Sequence, residues 1–102
     1  MKPVYGHLDL LILATLDDDE LHGYALIERL RDKSDGLFAL AEGTLYPALH
    51  RLEREGWLKS RWDGQAARRR RVYRVTAAGR KQLASERLQW RAFARGVAGV
   101  LR

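Results

Sequence analysis

The chain has 102 residues and no cysteine, which fits one small domain with a single core and excludes a disulfide framework or a thiolate metal site. Hydrophobic residues make up 46%, yet no run nears the roughly 20 apolar residues that span a bilayer, and the start M-K-P-V-Y-G-H-L-D lacks the apolar core of a signal peptide, so a cytoplasmic location away from membranes is expected. The net charge of +6 is unevenly spread: residues 1–50 carry 4 Lys/Arg against 9 Asp/Glu, a net of −5, and residues 51–102 carry 15 against 4, a net of +11. Positive charge gathered this way is the footprint of a polyanion partner; the plainer alternative is a basic surface with no partner.

Residues 8–16, L-D-L-L-I-L-A-T-L, are almost wholly apolar and predict a helix buried on most sides. A buried strand has the same composition, but the Leu and Ala content and the acidic stop D-D-D-E favour helix. Asp17, Asp18, Asp19 and Glu20 predict a turn, since adjacent carboxylates in a loop seldom converge on one metal ion. Residues 22–33 predict an amphipathic helix with Tyr24, Leu26, Ile27 and Leu30 inward and Glu28, Arg29, Arg31 and Asp32 outward, ended by Ser34, Asp35 and Gly36. His22, remote in sequence from His7 and His50, reads as a surface residue at the helix start rather than a ligand or base.

After an apolar linker, residues 42–56 read E-G-T-L-Y-P-A-L-H-R-L-E-R-E-G. Leu45, Leu49 and Leu52 recur at i, i+4 and i+7 and share one helix side. The other side carries Gly43, Pro47, His50, Arg51 and Arg54, with Tyr46 at its edge, and has no apolar stripe to bury. Pro47 is tolerated only early in a helix, so the start is expected between residues 42 and 44; Gly56 supplies the C-cap. Glu53 and Glu55 read as surface charges.

Residues 57–62 predict a strand by aromatic content and alternation, with Leu58, Ser60 and Trp62 on one face. A hairpin loop opens at Asp63, Gly64 and Gln65, and a strand returns over residues 71–75 with Tyr73 and Val75 inward. Arg68, Arg69, Arg70 and Arg71 are contiguous, so no alternation hides them. Edge strands carry a charge or two against aggregation; four guanidinium forks suit phosphate better. Thr76 predicts the cap of a last helix reaching residues 96–101. Leu83, Trp90 and Val97 are spaced by seven, as are Phe93 and Val100, which makes a heptad seam weakened by Glu86. Such a seam packs on the first helix, meets another chain, or both.

Helix, strand, basic loop and strand in this order predict a mainly α fold with a small β-hairpin. It is read as a winged helix-turn-helix over residues 1–76 and a C-terminal dimerisation helix over residues 77–102, in one compact unit. The motifs L-H-G-Y-A-L (residues 21–26), E-G-T-L-Y-P-A-L-H-R-L-E-R-E-G (42–56) and Y-R-V-T-A-A-G (73–79) carry a resemblance to the PadR family of bacterial transcriptional regulators across the whole chain. Ala41 departs from the pattern, where relatives commonly have a capping serine. The resemblance implies a dimeric winged helix-turn-helix repressor of the short subgroup, with one C-terminal dimerisation helix; no cofactor is expected. It further implies a response to small aromatic or cationic effectors, which in some relatives sit between paired tryptophans of that helix.

The leading expectation is sequence-specific binding to double-stranded DNA as a homodimer. Thr44, Tyr46, Pro47, His50, Arg51 and Arg54 would lie at the groove, with Arg51 or Arg54 reading guanine, and Arg68, Arg69, Arg70 and Arg71 would hold phosphates. Dimerisation is expected through Leu8, Leu11 and Ile12 with Leu83, Trp90, Phe93 and Val97, and Trp90 and Phe93 are the candidate effector residues. A second reading is a small-molecule-binding or protein-interaction module with little DNA specificity, which would not need the arginine run. An enzyme is a poor third, because no nucleophile, base and orienting group stand together and no glycine-rich phosphate loop appears.

Overall fold

The structure, a computed structural model, describes residues 7–102; the first six residues, on which part of the leader reading rests, lie outside it. The element order is α1 (Leu8–Asp18), β1 (Leu21–His22), α2 (Gly23–Lys33), α3 (Glu42–Arg54), β2 (Leu58–Asp63), a 3-10 turn (Ala66–Arg68), β3 (Arg70–Val75) and α4 (Ala77–Leu101). None of these helices is long and apolar enough to cross a membrane.

α1 buries Leu8, Ile12, Leu13 and Leu16, and Thr15 satisfies its hydroxyl on the Leu11 carbonyl at 2.8 Å, so a polar side chain sits in the core at little cost. The helix runs through Asp17 and Asp18, where a turn was expected. The four acids that close it diverge: Asp17 pairs with Arg80 at 3.3 Å, Asp18 with Lys33 at 2.9 Å, Asp19 with Arg29 at 3.7 Å and Glu20 with Arg61 at 3.2 Å. The hydrogen bond and charge of Lys33 hold the Asp18 carboxyl below its ordinary pKa. The lopsided charge of the two halves is thus partly cancelled across the fold, two of the cations coming from β2 and α4.

Among the described residues the sheet has three strands rather than the two of a hairpin, in the order β1-β3-β2 and antiparallel throughout. β1 has only two residues, Leu21 opposite Tyr73 and His22 opposite Val72. A two-residue strand has no alternation to read; its partner 50 residues away makes it one. His22 consequently takes extended backbone at the start of α2 and is half-buried, more enclosed than the surface residue expected there; its Nε2 is enclosed, without a hydrogen bond among the described residues, 3.6 Å from Asp63.

The inward face of α2 is Gly23, Leu26 and Leu30 with Ile27 partly covered, whereas Tyr24, expected inward, is 60% exposed. Gly23 fixes this rotation. A Cβ there would stand 2.5 Å from the Tyr46 hydroxyl, so the residue without one faces α3 and its neighbour turns outward. Ser34 ends the helix, its hydroxyl donating to the Leu30 carbonyl at 2.8 Å and accepting from the Phe38 amide at 2.9 Å.

α3 starts at Glu42, inside the expected window, after Ala41, which offers no capping side chain. Thr44 lies in the first turn and is not the cap. Pro47 sits a turn further in than a first-turn proline, and the missing amide would have bonded the exposed Gly43. Leu45, Leu49 and Leu52 are fully buried, each contributing about 1.5–3 kcal/mol of apolar burial. The end is a Schellman arrangement: the Trp57 amide donates to the Leu52 carbonyl and the Gly56 amide to that of Glu53, both at 3.0 Å. Trp57 is spent on this closure, so β2 begins one residue later than expected. Thr76 caps α4 through the Gly79 amide at 3.0 Å, as its sequence predicts, and donates to the Gly56 carbonyl at 2.6 Å. One residue thereby ties the end of α3 to the start of α4.

α4 has 25 residues, about 37 Å at 1.5 Å per residue. Only Gly79 and Leu83 on it are buried. Trp90, Phe93, Val97, Val100 and Leu101 are exposed along its far part.

Candidate nucleic-acid interface

The helical phase of α3 divides its surface into a core side, two flanks and an outer face. Each flank is fastened to a different element. Tyr46 is half-buried with its ring and hydroxyl against Gly23, so it anchors α3 to the start of α2 instead of facing outward. On the same side, Glu53 accepts a 2.7 Å hydrogen bond from the Ser60 hydroxyl of β2; it is not the free surface charge its position suggests. On the opposite flank, both terminal nitrogens of Arg51 donate to the two carboxylate oxygens of Asp9, one at 3.2 Å. That bond and charge raise the Arg51 pKa further.

The outer face that remains is Gly43, Pro47, His50 and Arg54, all exposed, with half-buried Thr44 and paired Arg51 at its margin. Gly43 and Pro47 project little, and among the described residues no ion pair engages Arg54. The face therefore offers close backbone approach at one end and free donors at the other, which suits a partner rich in acceptors. A shallow cleft lined by Leu8, Gly43, Thr44, Pro47, Ala48, Arg51 and Arg54 runs between this face and α1.

The β2–β3 hairpin forms the wing. The register sets Trp62 opposite Arg71 and Asp63 opposite Arg70. The four arginines consequently differ. Arg71 is half-buried: its Nε donates to Ser60 at 2.8 Å, and its guanidinium lies 4.9 Å from the centre of the Trp62 ring. Arg69 stacks on the same indole at 4.8 Å with its donor edge open. Arg68 and Arg70 are exposed and, among the described residues, without ion pairs. A chain of contacts thus runs from Glu53 of α3 through Ser60 and Arg71 to Trp62 and Arg69, fixing the wing to the helix. Cross-strand register, which no single segment carries, builds it.

Of the residues expected at a dimer contact, Leu8, Ile12 and Leu83 already lie in the chain's own core, and Leu11 is partly buried against it. Trp90, Phe93 and Val97 are 42%, 45% and 39% exposed. Trp90 and Phe93 form a cluster with His7, ring centres 5.0 Å apart for His7–Trp90, 5.8 Å for His7–Phe93 and 5.9 Å for Trp90–Phe93. This cluster walls one side of an almost purely apolar cleft of about 580 Å³; Leu10, Leu11, Leu37, Phe38 and Val97 complete it. His7, Leu37 and Phe38 were not expected there, because they come from segments with no periodicity.

A model of the PadR-like family of transcriptional regulators matches residues 12–85. The chain belongs to that family. The curated transcriptional regulator Rv3488 of Mycobacterium tuberculosis is 42% identical over 88 residues, covering 86% of this chain and 79% of the relative. A transcriptional regulator from Clostridium thermocellum superposes over the full length of both chains with a TM-score of 0.93 at 30% identity. Bacillus subtilis PadR, solved in complex with operator DNA, superposes with a TM-score of 0.69 at 25% identity over 76% of this chain and 44% of that one. The family consists of transcriptional regulators, not enzymes, and its winged-helix fold is the one seen here.

Proposed function

We propose that this chain is a homodimeric repressor that binds double-stranded DNA sequence-specifically. α3 enters the major groove, where His50 and Arg54 read base edges, and Arg68, Arg69 and Arg70 of the wing hold phosphates. The observation that carries this reading is the outer face of α3, which the described elements leave uncovered while fastening its flanks. The operator-bound relative supports it. The dimer forms through the far part of α4, where the apolar side of Trp90, Phe93 and Val97 continues past the chain's own core. Small aromatic or cationic effectors enter the cleft beside Trp90 and Phe93 and release the operator by favouring one dimer geometry over another. Two experiments test this. Selection from random duplexes must enrich one motif with two half-sites, and sedimentation must return about twice the 11.7 kDa chain mass. Enrichment of no motif would favour the second reading, a ligand or protein-interaction module of the same fold, which the apolar cleft alone would serve.

A further inference from the structure

Arg51 lies on the flank of α3 turned to α1, 42 residues from the carboxylate that holds it. We propose that Asp9 is a positioning residue for DNA reading. It fixes the Arg51 guanidinium at the margin of the groove face so that its remaining donors meet a guanine. The inference rests on the DNA-binding reading above and deepens it.

The pairing is end-on: each terminal nitrogen of Arg51 gives one hydrogen to one oxygen of Asp9. A guanidinium carries five donors, so three remain, including a second parallel pair along the Nε edge. Two parallel donors are what guanine O6 and N7 accept. Asp9 can therefore keep its hold while the other edge reads a base. Its own place is rigid. Asp9 lies in the first turn of α1, between Leu8 and the buried Ile12 and Leu13, where the helix N-terminus also favours a carboxylate. The Asp9 side chain is 24% exposed and that of Arg51 44%, so the carboxylate is the enclosed partner and the guanidinium the one that reaches solvent. Fixing a long side chain beforehand removes the entropy otherwise lost on binding, which is worth a few-fold to about tenfold in affinity for the correct base. A lone carboxylate at the same place would repel phosphate, so the pair works only as a unit.

The test is selection and equilibrium binding with the full chain as wild type, Asp9→Asn, Arg51→Ala and the double variant, on random and selected duplexes. Asp9→Asn keeps the side-chain shape, and a thermal melt reports its folding. The expected result is that Arg51→Ala relaxes preference at one base pair per half-site. Asp9→Asn should relax the same pair by a few-fold to about tenfold while leaving preference at the other positions unchanged. In the Arg51→Ala background it should relax preference no further and should only raise affinity for all sequences alike, because it removes the lone carboxylate. Equal loss for all sequences, or unchanged preference at that pair, would overturn the positioning role while leaving DNA binding intact. If wild type enriches no sequence, the functional reading and this role fall together.

Discussion

The wing offers the sharpest numerical check, because the structure separates four adjacent arginines that look alike in sequence. Among the described residues, the donor edges of Arg68, Arg69 and Arg70 meet no acceptor, whereas Arg71 is bonded to Ser60 and stacked on Trp62. Replacing the first three with alanine should remove three phosphate contacts per chain. Each contact is worth roughly 0.9 in the slope of log affinity against log salt, so the slope should flatten by roughly 2.7 per chain and about 5 in a dimer. Between 50 and 200 mM salt, wild type should then lose about three decades more affinity than the variant. Arg71→Ala should behave differently. It removes one hydrogen bond and one cation–π contact, about 1–2 kcal/mol of folding stability, with a slope change of roughly 0.9 or less per chain. Fluorescence anisotropy on a labelled duplex across a salt series measures the slopes, and urea denaturation measures stability. If the triple variant keeps the wild-type slope, or Arg71→Ala flattens it as strongly, the division of labour read from the wing is wrong.

Gly79→Ala should destabilise by about 1–3 kcal/mol in thermal melts, because the new Cβ would collide with the Trp57 carbonyl oxygen. Gly99→Ala, on the same helix with no atom of the described residues within 4 Å, should be neutral or stabilising by up to about 1 kcal/mol. Phe93→Glu places a charge on the exposed apolar side of α4 and should shift sedimentation from a dimer to the 11.7 kDa chain while leaving the fold intact. Asp18 is depressed by Lys33, so its contribution to stability is present above the unfolded carboxylate pKa and lost as pH falls through the lower, folded value. Asp18→Asn should therefore lower the denaturation midpoint at pH 7, and the gap to wild type should close in acid.

Local chemistry was enough to place most elements. The i, i+4, i+7 leucines of α3, the Thr76 cap, the Gly56 stop and the inward Tyr73 and Val75 of β3 each depend on residues within about one or two turns of one another, and they appear where the sequence puts them. The family motifs are equally local. What the sequence left open needed contacts between distant segments. β1 exists only because β3 lies beside it, and Tyr24 faces outward only because Gly23 must meet Tyr46. The same holds for the site. Exposure of His50 and Arg54 follows from helical phase, which is periodic and therefore legible. The anchoring of Arg51 by Asp9, of Glu53 by Ser60 and of Arg71 by Trp62 follows from which helix or strand packs alongside, and spacing within one segment carries no trace of that. Leu8, Ile12 and Leu83 show the same limit for apolar residues. Periodicity identifies a face that must be covered, and only the packed chain decides whether its own core or a second copy covers it.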